Sequence, residues 1–329
     1  MTTSASPFAG VGHAAAADRG LSASVAICCF SVDRLPDTLA SIESATNQTL
    51  SPYEIIVSVD NNPELADRLT SLLGSSVIVV RNEGLRGTSA NRNVAIGRAT
   101  GDVVVFLDDD AVAESTWLEE LLRPFADPRT MVVGGSSVPA WERGSAPPWF
   151  PEEFQFVFGC TGHMPLVVAK DRQVRNPAGS NMAVRKTAFD QLGPWSVELG
   201  RGQVGTGGEE AELCLRIKNA IPDALILHQS SAVVHHKVPR TRSTFRYVFS
   251  YVYREGIVRA LLRKRLARYT AGPLAGERLY LHNLLHVSIP RRLRRFYDLR
   301  SLAQLAVIII NTGLVALGFL RGWLRYRED

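Results

Sequence analysis

The stretch Asp102-Val-Val-Val-Phe-Leu107, running into Asp108-Asp109-Asp110, decides how this chain folds. An unbroken aliphatic run with no polar alternation suits a strand buried on both faces, as in a parallel sheet covered by helices. Polar residues directly after such a strand stand at its carboxyl end, where open α/β sheets bind their ligands. Asp108 and Asp110, two positions apart, raise each other's pKa if left unpaired, and a divalent cation resolves the repulsion. Hard oxygen ligands suit Mg²⁺ or Mn²⁺, which complete their shells with water and substrate phosphates. The alternative is a solvated acidic turn.

Upstream, the same arrangement repeats. Val25-Ala-Ile-Cys-Cys-Phe30 reads as a buried strand followed by a helix from Leu35 to Ala45. Glu54-Ile-Ile-Val-Ser-Val59 is a second strand, ending on Asp60-Asn61-Asn62-Pro63 before a helix from Glu64 to Leu73. Ser76-Val-Ile-Val-Val80 is a third strand, and Ala90 to Arg98 a third helix. Polar clusters at Ser31 to Arg34, Asp60 to Asn62 and Arg81 to Gly87 follow the first three strands as the acidic triplet follows the fourth. The expected class is therefore α/β with a mostly parallel, helix-flanked sheet. Neither G-x-G-x-x-G after the first strand nor G-x-x-x-x-G-K-[ST] anywhere is present, so phosphates need another partner than a glycine loop.

A second constellation is Gly207-Gly-Glu-Glu-Ala-Glu-Leu-Cys-Leu-Arg216. Acidic residues in a first helical turn are favoured by the macrodipole alone. A carboxylate beside a cleft can also deprotonate an acceptor hydroxyl, and Glu210 is the candidate base. Glu209 and Glu212 fit backbone orientation or an i+4 pairing with Arg216. His235-His236-Lys237 ends an apolar strand, and alternation does not decide which histidine points inward.

The chain has 329 residues, 46% of them apolar and 21% charged, which excludes disordered and fibrous classes. The net charge of +5 conceals an asymmetry: Lys237 to Arg300 holds 16 Lys and Arg against Glu255, Glu277 and Asp298, leaving the remainder of the chain acidic. The four cysteines form no C-x-x-C pair, which favours a reducing compartment. Residues 1–23 read as a disordered tail with no signal-peptide pattern.

Together these motifs resemble the family-2 inverting glycosyltransferases of the GT-A, nucleotide-diphospho-sugar transferase fold, over roughly Ser24 to His236. The resemblance implies a Rossmann-like sheet and a domain spanning residues 24–239. It implies that the first turn, Ile27 to Arg34 with Phe30, holds the nucleoside and that Asp60 contacts the base. Arg86-Gly-Thr-Ser-Ala-Asn-Arg-Asn93 is similar to the family's R-G-x-x-x-A-R-N segment, which adds Arg86 to the donor site. The D-x-D contacts to ribose and metal map onto Asp108, Asp109 and Asp110. Ala178-Gly-Ser-Asn-Met-Ala-Val-Arg185 matches the segment lining the sugar pocket, with Asn181 at its centre. The family's Glu-Asp pair is Glu209-Glu210 here, with Glu209 on the donor side and Glu210 as base, and His235 or His236 is implied as a further metal ligand. The expected cofactors are Mn²⁺ or Mg²⁺ and the expected donor a UDP-sugar.

Residues 240–329 form a helical, basic extension. Aromatic and basic residues interleave in Phe245-Arg-Tyr-Val-Phe-Ser-Tyr-Val-Tyr-Arg254, and a basic amphipathic helix covers Arg259 to Arg268. No RNA-binding signature accompanies them, so a membrane surface is expected rather than nucleic acid. Residues 301–320 are uncharged and long enough to reach across a hydrocarbon core. Arginines on both flanks and Gln304, Asn311 and Thr312 inside leave a re-entrant, interfacial or internally packed helix equally open. The expected activity is metal-dependent sugar transfer to a lipid-linked or glycan acceptor at the cytoplasmic membrane face. The rivals are a nucleotidyltransferase making NDP-sugars and a non-catalytic membrane- or nucleic-acid-binding protein.

Overall fold

The computed structural model describes residues 20–161, 173–199, 207–265 and 275–325. In its first half, β1 (Ala23–Cys29), β2 (Glu54–Asp60), β3 (Ile78–Asn82) and β4 (Val103–Asp108) alternate with α1 (Leu35–Thr46), α2 (Pro63–Leu73) and α3 (Thr88–Arg98). All four strands are parallel neighbours. Asn62 caps α2, its Oδ1 accepting from the Leu65 amide at 3.1 Å, and Pro63 enters at the first helical position, where no amide bond is lost. The third strand starts two residues later than the aliphatic run suggests. Ser76 Oγ donates to the Leu73 carbonyl at 2.7 Å, so Ser76 closes the end of α2 instead of extending the strand.

The second half turns the parallel sheet into a mixed one. It consists of β5 (Ala111–Ala113), α4 (Trp117–Leu122), β6 (Thr130–Trp141), β7 (Asn181–Arg185), α5 (Lys186–Leu192), α6 (Glu209–Ala220) and β8 (Leu225–Val238). The eight-stranded order is β3-β2-β1-β4-β7-β6-β8-β5. β7 runs antiparallel to both β4 and β6, and β5 antiparallel to β8. Alternation along β1 shows the two faces: Val25 and Ile27 join Leu65, Leu69 and Trp117 in one core, while Ala26 joins Phe106, Trp195 and Leu213 in the other.

The C-terminal part is helical, with α7 (Phe245–Arg265), α8 (Ala275–Asn283), α9 (Ile289–Leu293) and α10 (Leu299–Arg325). α7 packs on the sheet domain at both ends. Val248 and Val252 meet Phe150, Phe154, Phe158 and Val238, whereas Val258, Leu261 and Leu262 meet Ala211 and Leu215 of α6. Arg292 is buried and forks onto Glu153 with bonds of 2.7 and 2.8 Å, pinning α9 to the domain. Among the described residues, α10 alone is long and apolar enough to cross a membrane.

The tail expected over 1–23 lies outside the described residues up to position 19, and Ala23 already opens β1. The part of the basic helix beyond Arg265 also lies outside them.

Candidate active site

β4 delivers Asp108 to the carboxyl edge of the sheet, and β5 begins at Ala111, with only Asp109 and Asp110 between. β5 pairs with β8 so that Ala111 faces His236 and Val112 faces His235. This register swings the histidine strand over the acidic triplet. Oxygens of Asp108 and Asp110 and a ring nitrogen of His236 all fall within 4.8 Å of one another. His236 Nε2 lies 3.4 Å from Asp108 Oδ2 and 3.2 Å from Asp110 Oδ1. Strand alternation thus separates the two histidines: His236 is buried, while His235 is half exposed and pairs with Glu114 at 3.1 Å. His235 stands apart from the cluster.

The donor set is two carboxylates and one imidazole, hard oxygens with a single borderline nitrogen, which fits Mn²⁺ or Mg²⁺. Two arginines face the same carboxylates. Arg34 bridges Asp109 at 2.9 Å and also touches Asp110, and Arg242 lies 3.7 Å from Asp110. The electrostatics follow from this crowding. Burial alone would lift the Asp108 carboxyl, but the hydrogen bond from His236 and the charge of Arg92 hold it well below the ordinary range. Burial pushes Asp109 up to about 8 against the pull of Arg34, with Asp110 and Asp108 adding to the rise. For His236 burial acts downward, yet the neighbouring Asp108 and Asp110 raise it overall. Its Nδ1 is buried and has no hydrogen-bond partner among the described residues.

Glu210 stands at the mouth of α6. Gly207 and Gly208, at φ of 107° and 98°, make the left-handed entry that only glycine adopts at low cost. Glu209 is buried, and Glu210 keeps about a fifth of its side chain open to solvent. Glu212 pairs with Arg216 at 2.9 Å, and Arg216 also holds the carbonyls of Gly193 and Pro194. The i+4 pairing therefore falls to Glu212 and not to Glu209.

Arg92 connects the two halves of the site. Its guanidinium lies 3.6 Å from Asp108, 3.5 Å from Glu209 and 3.7 Å from Glu210, and is 5% exposed. It sits over the rings of Phe106 and Trp195 at 5.7 and 5.5 Å. A Cβ on Gly179 would stand 2.5 Å from Glu210 Oε1 and 2.6 Å from Arg92 Nη1, so this glycine makes room for the carboxylate–guanidinium contact. Sequence reasoning quoted Arg92 inside a motif without giving it a role, and passed over Arg242. The available signal was the need of Glu209 and Glu210 for a countercharge.

The remaining candidates are scattered more widely. Phe30 is exposed, with the Arg34 guanidinium 5.3 Å from its ring centroid. Asp60 ends β2 and spends its oxygens within the chain, accepting from Asn82 Nδ2 at 2.7 Å and from the Gly87 amide at 3.0 Å. It shapes the loop that leads to α3. Arg86 is exposed on that loop. Asn181, expected in the sugar pocket, is sealed from solvent. Its amide accepts from Trp117 Nε1 at 2.8 Å and donates to the carbonyls of Ser136 and Ala232 at 3.1 and 3.0 Å. It ties α4, β6, β7 and β8 together, and its neighbour Gly179 is the part of that segment that reaches Glu210.

The model for glycosyl transferase family 2 matches residues 24–193, and the chain belongs to that family. A glucosyl-dolichyl phosphate glucuronosyltransferase of Haloferax volcanii is 31% identical over 92% of this chain and 96% of its own length. The succinoglycan biosynthesis protein ExoM of Rhizobium meliloti is 25% identical over 70% of this chain and 72% of its own. Among solved structures, a Pyrobaculum calidifontis mannosyltransferase in complex with GDP-Man and Mn²⁺ superposes with a TM-score of 0.58 at 14% identity, over 93% of this chain and 88% of that one. GalNAc-T7 with UDP, GalNAc and Mn²⁺ gives 0.51 at 17% identity, and this chain covers 55% of its length. The fold is GT-A, and the protein is a glycosyltransferase. The nucleotidyltransferase and non-catalytic alternatives are set aside.

Proposed function

We propose that this enzyme transfers a sugar with inversion from a UDP-sugar to the hydroxyl of a lipid-linked, polyprenyl-type acceptor at the cytoplasmic membrane face. The transferase unit covers residues 24–239, and residues 240–329 form the membrane-associating extension. One observation carries the reading: Asp108 stands between the Asp110 and His236 cluster on one side and Arg92, which touches Glu210, on the other. The donor-phosphate end and the base end of the reaction thus meet across a single guanidinium.

Asp108, Asp110 and His236 hold the divalent cation in this reading. When bound, the cation supplies positive charge to the departing nucleoside diphosphate. Arg34 and Arg242, both within reach of Asp110, add fixed positive charge at the same place. Phe30, Asp60 and Arg86 border the nucleoside side. Glu210, partly open to solvent, takes the acceptor proton as the hydroxyl attacks, and Arg92 keeps that carboxylate oriented. With one displacement and no protein nucleophile, the anomeric configuration inverts.

A lipid-linked acceptor is supported by the apolar α10 and by the activity named for the 31% identical relative. The test uses the full chain with a panel of UDP- and GDP-sugars, Mn²⁺ and a polyprenyl-phosphate-linked sugar. Glu210→Gln is expected to retain donor binding and to lower kcat by about 10²–10⁴. Unchanged turnover in Glu210→Gln, or full activity in excess chelator, would overturn the assignment.

A further inference from the structure

α10 is uncharged over a length that could cross a bilayer, yet it is fastened to the catalytic domain near its start and to α7 along the rest of its length. Near its start, Gln304 Nε2 donates to the Pro148 carbonyl at 3.1 Å and Gln304 Oε1 accepts from Arg292 at 3.2 Å. Ile308 is buried in the same cluster as Phe150, Phe154 and Val252. Further on, glycines replace side chains along the contact with α7. A Cβ on Gly256 would run into the Val315 carbonyl, one on Gly318 into the Tyr253 carbonyl, and one on Gly322 would lie 2.9 Å from Ala260 Cβ. Arg321 donates to the Tyr253 hydroxyl at 3.0 Å, and Arg263 sits 5.1 Å from the centre of the Trp323 ring.

A spanning helix needs roughly 20 consecutive, mostly apolar residues, which α10 has. What decides its placement is the helix packed beside it. α7, the helix beside it, carries Arg254, Arg259, Arg263 and Lys264 and is itself packed on α6 and on the Phe150 to Phe158 segment. Driving α10 through the hydrocarbon would drag that charged helix and the sheet domain with it.

The face of α10 turned away from α7 is a continuous apolar stripe. Leu302, Ala306, Ile309, Ile310, Leu317 and Leu320 are exposed at helical spacing, Ile309 to 60% and Leu317 to 56%. At one end of the stripe stand exposed Arg294, Arg295 and Arg300, with Phe296 68% and Tyr297 77% exposed between them. Aromatic and basic residues beside a one-sided apolar helix are the pattern of a headgroup-level contact. Pairing this face in parallel with a second copy would bring two arginine-rich ends together.

We propose that α10 does not span the membrane but lies in the plane of an anionic lipid surface, seated by its outward stripe with α7 stacked behind it. The inference rests on the membrane setting proposed above, and the two fail differently in one experiment. The full chain is floated with vesicles of phosphatidylcholine alone or with about a third phosphatidylglycerol. Single nitroxide-labelled cysteines are placed at Leu302, Ile310, Leu317 and Leu324, with half-buried Cys28 replaced by Ser. In-plane seating gives all four labels similar shallow depths and flotation that needs the anionic lipid. The double variant Ile309→Glu/Leu317→Glu, with unchanged Tm, is expected to lose vesicle binding by about tenfold or more. Labels graded in depth from one leaflet to the other would overturn the in-plane placement while leaving the membrane setting intact. A detergent-free dimer that buries the labels and ignores vesicles would overturn both.

Discussion

Replacing Arg92 with Met keeps an unbranched side chain between Phe106 and Trp195 while removing the guanidinium from among Asp108, Glu209 and Glu210. Glu209 is 4% exposed, so its charge would then face two carboxylates with little water to screen them. Breaking a buried ion pair from one side costs about 3–5 kcal/mol. At roughly 2–4 °C of Tm per kcal/mol for a chain of this size, the variant should melt about 10 °C lower at neutral pH. The sign of its pH dependence follows from the charges. Arg92 helps to hold the folded Asp108 carboxyl well below its ordinary range, so that part of the loss is full above the unfolded aspartate value of about 3.9 and shrinks as pH falls below it. Thermal unfolding of both proteins, at neutral pH and at about pH 3, should therefore show the gap narrowing. A gap below about 1 kcal/mol, inside the ordinary range of point mutations, would refute the linking role of Arg92. A gap indifferent to pH would assign its cost to packing instead.

Three further outcomes can be checked. His236→Ala should abolish the thermal stabilisation given by Mn²⁺, whereas His235→Ala, which stands outside the cluster, should leave it unchanged. Gly179→Ala sets a methyl 2.5 Å from Glu210 Oε1 and 2.6 Å from Arg92 Nη1, and should lower kcat more than donor affinity in steady-state kinetics. Glu153 is raised by burial but lowered further by its bond to Arg292, ending below the ordinary glutamate range. Its contribution is therefore present above the unfolded value near about 4.3 and is lost as pH falls through the folded one. Glu153→Gln should remove that acid sensitivity and cost about 3–5 kcal/mol, seen as faster proteolysis of the C-terminal helices.

The parallel half of the sheet was legible because each strand is an unbroken aliphatic run closed by a polar cluster, a pattern confined to short stretches of chain. The antiparallel strands were harder to place. Whether His235 or His236 faces Asp108 depends on the register of β5 against β8, whose partners are more than a hundred positions apart. The sequence Ala-Val-Val-His-His-Lys is apolar on both faces until its end, so alternation carried no sign. The role of Asn181 was hidden for a related reason: the motif identifies the segment, but that its central amide bonds to Trp117, Ser136 and Ala232 while Gly179 reaches Glu210 depends on distant partners. α10 was visible as an uncharged run, whereas its stacking on α7 depends on Gly256, Gly318 and Gly322 lying opposite each other's backbones, which no local reading contains.

The separation of 128 positions between Asp108 and His236 also imposes an order on synthesis. A ribosome adding about 5–20 residues per second delivers the acidic triplet some 6–25 seconds before the histidine that completes the cluster. Arg34 and Arg92 are already in the nascent chain by then, so the carboxylates meet arginine before they meet imidazole. The last strand, β8, enters between β6 and β5, and until it does so β5 lacks the strand it pairs with. In the proposed reading the cation site is therefore completed only once β8 is in place, and translation products that end before His236 would give no Mn²⁺ binding.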